Sequence, residues 1–339
     1  MATLREVAKR SGVSIKTVSR IVHGDAAVTA KTREKVQRYL TSLNYIPNHA
    51  ARQMRSGTSS IYGFMTDVVA STPYSVDIVR GAQSALKESN RTLLIANSDG
   101  DPEREKELWR MFRAHRVAGV VYAAMFHRAH DIGKPLFGDG IVLANCFDTD
   151  AKHRAIVPDD EQGGYEQARY LLQRGHRNIG HITLNSMIVA TGLRRAGIRH
   201  AFKDASVSFN SGLEIPGYTG KWPSEESLVR EAAFNLLTRA SRPTAIICGN
   251  DNVAMQVYSV AAELGISVPQ DLSLIGFDDL KLISESVYPK LTTVALPYFE
   301  IGRLAVEALY LARDRDDTTG HCLRVPCPLV ERQSCKVLS

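Results

Sequence analysis

The chain lacks any uninterrupted apolar run near the roughly 18 residues that a membrane-spanning helix needs. Its N-terminus, MATLREVAKR, meets charge at Arg5, where a secretory leader would carry its apolar stretch. The expectation is a cytoplasmic protein with no membrane partner. Cysteine is scarce and unpaired in pattern: five residues, an odd number, with no CxxC spacing. Cys146 and Cys248 lie in apolar strand-like runs, where a thiol packs as a small hydrophobe. Cys322, Cys327 and Cys335 have no paired histidine near them, so a structural zinc and a disulfide framework are both disfavoured. Also missing are GxxxxGK[ST], a GxGxxG after a strand, HExxH and GxSxG, and the paired carboxylates sit at helix starts. The chain is therefore not expected to be an enzyme, and no catalytic residue, metal site or cofactor is assigned.

Acidic residues are scarce at one end only. Residues 1–60 hold eleven Lys/Arg against three Asp/Glu, a net of +8, while the rest of the 339 residues carries −2. A basic block on a near-neutral body points to a segment that meets a polyanion, joined to a part with another task. With 44% hydrophobic and 23% charged residues, the body has enough apolar matter for more than one core.

The basic block reads as three short helices. Thr3 followed by Glu6 is a capping box, Leu4, Val7 and Ala8 give an apolar face, and Gly12 stops the first helix. Ser14 caps a second, whose Val18, Ile21 and Val22 face inward while Lys16, Arg20 and His23 point outward. Thr29 begins a third, with Val36, Tyr39, Leu40 and Leu43 at helical spacing before Asn44 and Pro47 end it. Helix, tight turn, helix and support is the helix-turn-helix arrangement, whose second helix enters the major groove. Ile15, Lys16 and Arg20 are the candidate base readers, because Lys and Arg donate to guanine O6 and N7 and Ile contacts a thymine methyl. Thr17 and His23 complete the expected DNA-facing set. Residues 48–56, NHAARQMRS, hold good helix formers but too few apolar residues to be helical alone. Ser56-Gly57-Thr58-Ser59-Ser60 is a linker.

From Ile61 onward β-type runs (IYGFMTDVV, TLLIANSD, IVLANCFD, TAIICGND, LSLIGFDD) alternate with helical ones. Such alternation predicts parallel, doubly wound α/β sheets, and the number of runs suits two lobes with a ligand bound where the strands end.

TLREVAKRSGVSIKTVSRIVHG, VTAKTREKVQRYLTSLNYIPN and AARQMRSGTSSIYG closely resemble the lac-repressor (LacI/GalR) family in order and spacing, and the resemblance runs over essentially the whole chain. It implies an all-α helix-turn-helix headpiece (1–47), a hinge helix and linker (48–60), and a two-lobed, periplasmic-binding-protein-like effector domain. The expected lobes are 61–158 plus 291–320, and 159–290 plus 321–339. It implies a homodimer on double-stranded operator DNA, released by a small sugar. In the hinge, Met54 stands where the family usually places a leucine wedge, and Arg52 and Arg55 lie beside it. No leucine heptad tail follows CPLVERQSC, so a dimer rather than a tetramer is expected.

Sugar hydroxyls pair with Arg, Asn and Asp, and sugar C–H faces pack on aromatic rings. Arg194, Asn250, Asp278, Asp159 and Trp222 offer that set at loops after strands. Carried over from the resemblance, Arg194 and Asp278 are the core sugar pair, Asn250 is an effector contact and Trp222 stacks on the ligand; Tyr74 joins from the first-strand loop. Asp159, Asp160 and Asp279 have a second reading as helix caps, and Asp251 is read as capping its helix. Strings such as TPYSVDI, IVPDD, ATGLRRAG and VPCPLVER are most similar to a sucrose-responsive branch, which implies sucrose or a related glucoside. The alternatives are another sugar, or a two-lobed sugar carrier, against which the basic headpiece and the absent leader both argue.

Overall fold

In the computed structural model, the described residues are 2–22, 25, 27–45, 59–70, 72, 75–87, 91–132, 140–221, 224–314 and 321–338. The chain forms two compact units, 1–59 and 60–339. In the first, α1 (Leu4–Ser11), α2 (Ile15–Val22) and α3 (Ala30–Ser42) start at the expected caps. Thr3 Oγ1 accepts from Glu6 N at 3.2 Å, Ser14 Oγ from Thr17 N at 3.1 Å, and Thr29 Oγ1 from Thr32 N at 3.4 Å. Gly12, at φ 64°, takes the left-handed turn that lets α2 fold back on α1, a conformation costly for a residue with a Cβ. Val7, Ala8, Val18, Ile21, Val36 and Leu40 make the small core. The expected hinge helix, with Arg52, Met54 and Arg55, lies outside the described residues.

The second unit holds two six-stranded sheets. One contains β1 (Ile61–Thr66), β2 (Thr92–Asn97), β3 (Val120–Ala129), β4 (Ile141–Phe147), β5 (Arg154–Pro158) and β13 (Cys322–Val325) in the order β13-β5-β4-β3-β1-β2, parallel throughout. The other contains β6 (Ile179–Thr183), β7 (Glu214–Pro216), β10 (Ala245–Cys248), β11 (Ser273–Asp278), β12 (Thr292–Ala295) and β14 (Leu329–Val330) in the order β14-β12-β11-β10-β6-β7; here β14 alone runs antiparallel. A short ribbon, β8 (Tyr218–Thr219) with β9 (Glu226–Ser227), stands apart. The helices that matter for the site are α4 (Val76–Leu86), α5 (Pro102–Ala114), α6 (Asp160–Gln173), α7 (Val189–Asp204), α8 (Val229–Leu237), α9 (Asp251–Glu263), α10 (Lys281–Ser284) and α11 (Tyr298–Asp314). Apolar clusters line both faces of each sheet, as parallel sheets require.

The expected lobe boundaries at 291 and 321 need correction. Thr292–Ala295 stays in the second sheet, pairing Ile275 with Thr292, and Cys322–Val325 completes the first sheet beside β5. The chain therefore crosses between lobes just after Pro158, after Ala295 and after Val325. A four-residue strand reads the same in either sheet, and only the partner's register decides which one it joins.

Each lobe contains one pair of helices in very close contact. In the first, a Cβ on Gly81 would lie 1.8 Å from Phe299 O, and one on Gly302 1.9 Å from Ile78 O, so α4 and α11 touch backbone to backbone. In the second, a Cβ on Gly164 would lie 2.2 Å from Arg194 O, and one on Gly197 1.9 Å from Glu161 O. The second contact sets how far the Arg194 backbone stands from α6. Gly164→Ala is expected to cost about 1–3 kcal/mol by overpacking, read as a lower urea midpoint, and to weaken ligand binding by displacing Arg194. Unchanged stability would mean that the helices part freely.

Candidate functional site

The strands of both sheets end at a common cleft of about 370 Å³. Such a position, beyond the carboxyl ends of parallel strands, is where open α/β folds bind ligands. From the first lobe come Met125, Phe126 and His127 on β3 and Asn145 on β4; Pro158 ends β5. From the second come Asp160 and Arg194 on α6 and α7, Asn185 after β6, Glu225 before β9, Asn250 before α9, and Asp278 ending β11. Leu296 and Tyr298 lie at the second crossover.

A buried charge network occupies the floor. Arg194 Nε donates to Asp160 Oδ1 at 2.8 Å and Nη1 donates to Gly249 O at 2.7 Å, while the guanidinium lies 3.5 Å from the centre of the Phe277 ring. Asp160 Oδ2 is 2.7 Å from His127 Nδ1, so one carboxylate ties an imidazole of the first lobe to a guanidinium of the second. The Asp160 side chain is fully buried. Burial alone would raise its pKa; the Arg194 charge and the His127 hydrogen bond outweigh that and hold it below the usual carboxylate value.

Asp278 is in a different state. Its Oδ1 is 3.9 Å from Arg194 Nη1, too far for a hydrogen bond, and burial pushes its pKa up to about 7 despite that guanidinium, with Asp160 adding to the rise. Its φ of 109° is outside the regions that residues with a Cβ prefer. Backbone strain of this kind gathers at binding sites, where surrounding structure holds a side chain in place.

Arg194, Asp278 and Asn250 thus line the cleft. Asn250 has two tasks: its Oδ1 caps α9 by accepting from Val253 N at 2.9 Å, which turns its amide nitrogen away from the helix. Asp159 needs correction. It is the N-cap of α6, accepting from Gln162 N at 3.2 Å, and does not line the cleft; the neighbouring Asp160 does. A cap side chain must fold back onto its own helix, whereas the next residue leaves the helix in a different direction. Asp251 is also corrected: it is not the cap but a fully buried carboxyl that accepts from Thr293 Oγ1 at 2.6 Å and Leu280 N at 2.8 Å. Tyr74 and Trp222 lie outside the described residues.

Sequence reasoning missed His127, Asn145, Asn185, Glu225 and Tyr298. Asn145 sits in an apolar strand and has φ 57°; its Nδ2 donates to Ala124 O and Met125 O, leaving a buried Oδ1 with no protein partner at the cleft wall. A polar residue interrupting an otherwise apolar run, IVLANCF, was the available signal. Asn185 Nδ2 donates to Glu225 Oε1 at 2.7 Å, which fixes both side chains.

In the headpiece, Ile15 is 45% exposed and Lys16 and Arg20 are exposed on the outer side of α2. Thr17 Oγ1 lies 2.9 Å from Ser14 Oγ, and Arg20 Nε 3.4 Å from Asp25 Oδ2. His23 lies outside the described residues. Among the described residues no group of three or more His, Cys, Asp or Glu could hold a metal, and no helix is long and apolar enough to cross a membrane.

Residues 3–48 match the model for bacterial regulatory proteins of the lacI family, and residues 168–335 match a periplasmic binding protein-like domain. The chain is 34% identical to the sucrose operon repressors of Shigella flexneri and Escherichia coli, across 98% of this chain and 100% of theirs. It is 39% identical to a solved LacI-family regulator from Rhizobium etli, covering 82% of this chain and 99% of that one at a TM-score of 0.76. It is 25% identical to the lac repressor dimer bound to operator and the anti-inducer ONPF, covering 99% of each chain at a TM-score of 0.79.

Proposed function

The chain belongs to the lacI family of bacterial regulatory proteins, relatives of which are transcriptional repressors and not enzymes, and from that premise we propose that it is a sugar-responsive repressor released from its operator by sucrose or a related glucoside. The observation that carries the sugar reading is the pairing, in one cleft, of the buried Arg194–Asp160–His127 network with the acceptor Asp278, the amide oxygen of Asn145 and the amide nitrogen of Asn250. Such a set of fixed donors and acceptors suits vicinal hydroxyls. The similarity to sucrose operon repressors supports the choice of sugar.

The proposed partner is double-stranded operator DNA in the cytoplasm, bound by a homodimer with two headpieces on two half-sites. Ile15, Lys16, Thr17, Arg20 and His23 read the major groove, and Arg52, Met54 and Arg55 enter the minor groove between half-sites. Sugar in the cleft favours a lobe arrangement that separates the hinge segments, which requires tighter binding to the released state than to the DNA-bound one.

Fluorescence anisotropy on an operator from the upstream region of its own gene, at fixed salt, with and without millimolar sucrose, tests both halves. Tight binding lost on adding sucrose is the expected result; sugar-insensitive binding rejects the effector, and no sequence preference rejects the repressor. Arg20→Ala is expected to cost about 1–3 kcal/mol of discrimination at one base position. Arg38→Ala is expected to do little, because Arg38 is an exposed α3 residue paired to Glu34 at 2.6 Å.

A further inference from the structure

Resting on the reading of the cleft as the effector site, we infer that it takes an uncharged polyhydroxyl ligand and discriminates against the same ligand carrying a phosphate. A phosphate monoester brings a charge of roughly −1.5 to −2 and three acceptor oxygens, and proteins hold it with unpaired Arg or Lys or with open helix N-termini.

The cleft is poor in both. Among its described lining residues Arg194 is the one Lys or Arg, and two of its three nitrogens are already engaged, Nε by Asp160 and Nη1 by Gly249 O, with one face on Phe277. Three acidic side chains, Asp160, Asp278 and Glu225, line the same space against that single guanidinium and the His127 imidazole, Asp278 being only partly ionised at neutral pH. Two helix starts bordering the cleft are filled by the chain's own acceptors, Asp159 on Gln162 N and Asn250 on Val253 N. α11 also begins on the cleft wall, at Tyr298, and the start of α7 at Val189 has no side-chain cap. Its amides can donate to a hydroxyl or ring oxygen, but a dianion there would share the cleft with Glu225 and Asp278. Hydroxyl groups suit these surroundings because each donates to a carboxylate or amide oxygen and accepts from an amide N–H without adding charge. The buried Oδ1 of Asn145, which has no protein partner, asks for a donor, and a fully ionised phosphate has none to give.

The test is isothermal titration of the full-length protein with paired probes: sucrose and sucrose 6-phosphate, glucose and glucose 6-phosphate, fructose and fructose 6-phosphate. Operator binding is measured on the same sample. The expected result is that the tightest ligand is uncharged and that its phosphate binds at least about 30-fold more weakly, the scale of one uncompensated charge acting on a dianion in a partly buried site. The ratio should narrow in Glu225→Gln, which removes one of the three acidic side chains, and at high salt, which screens the repulsion. A phosphorylated member that binds as tightly as its parent, or more tightly, overturns the inference. Binding by no member of the panel, with operator binding intact, overturns the effector reading of the cleft and the inference with it.

Discussion

Asp278→Asn is expected to abolish release from the operator by sugar while making the ligand-free protein more stable at alkaline pH. The carboxylate offers its lone pairs to ligand hydroxyls at the end of β11, and an amide there replaces half of that acceptor with a donor. The stability gain follows from the ionisation of the native residue. Its pKa rises on folding from 3.8 to about 7, so between those values the folded state holds a proton that the unfolded chain releases. Stability from this group is therefore full below about pH 4 and lost as pH rises to 7, leaving a penalty on the order of a few kcal/mol at pH 8. Asn carries no such penalty. The melting temperature of the variant should exceed that of the parent by several degrees at pH 8, at about 2–4 °C per kcal/mol for a chain of this size, and the gap should close toward pH 5. Equal melting temperatures across that range, or retained release by sugar, would reject the assignment of Asp278 as a strained acceptor kept for binding.

Asp160→Ala should do the opposite to stability and have the largest effect of any single change in the cleft. Removing this carboxylate leaves the Arg194 guanidinium buried against Phe277 with a backbone carbonyl as its remaining close partner, and strands His127 across the lobe boundary. Breaking a buried pair in this way costs about 3–5 kcal/mol, because desolvation of the surviving charge is no longer offset. Urea unfolding at pH 7 followed by the fluorescence of buried Trp109 should show the loss. The pH dependence again has a definite sign. The folded carboxyl lies below its ordinary value, so its contribution is present above about pH 4 and disappears as pH falls through the folded pKa. The parent should lose stability in that acid window, and the variant should lose less. A variant within about 1 kcal/mol of the parent would mean that the network is not a structural tie between the lobes.

Much of the site's surroundings is legible in the amino-acid sequence. The headpiece followed from local chemistry: Ser14 and Thr29 as caps, Gly12 as the left-handed turn, and Val18, Ile21, Val36 and Leu40 at helical spacing. The strand runs of the body were legible from their apolar continuity, and Arg194, Asn250 and Asp278 from a family resemblance anchored in quoted motifs. Harder cases shared one cause. Asp159 and Asp160 are adjacent carboxylates at a helix start, equivalent in composition, and what distinguishes them is the direction each leaves the backbone. His127 and Asn145 lie within strands whose inner residues are ordinary core, and Tyr298 begins a helix that could pack on either lobe.

The sequence by itself determined that there would be a basic helix-turn-helix segment and two α/β lobes of parallel strands, because caps, periodicity and charge act over a few residues. Tertiary structure alone decided where the chain crosses between lobes, that Asp160 and not Asp159 enters the cleft, and that the single guanidinium among the described lining residues is held by a carboxylate two positions beyond one crossover and thirty-four residues before it. Those outcomes depend on which strand edge, helix face or opposite charge arrives from a distant part of the chain, and on the desolvation that follows; neither quantity is a property of any short stretch of residues.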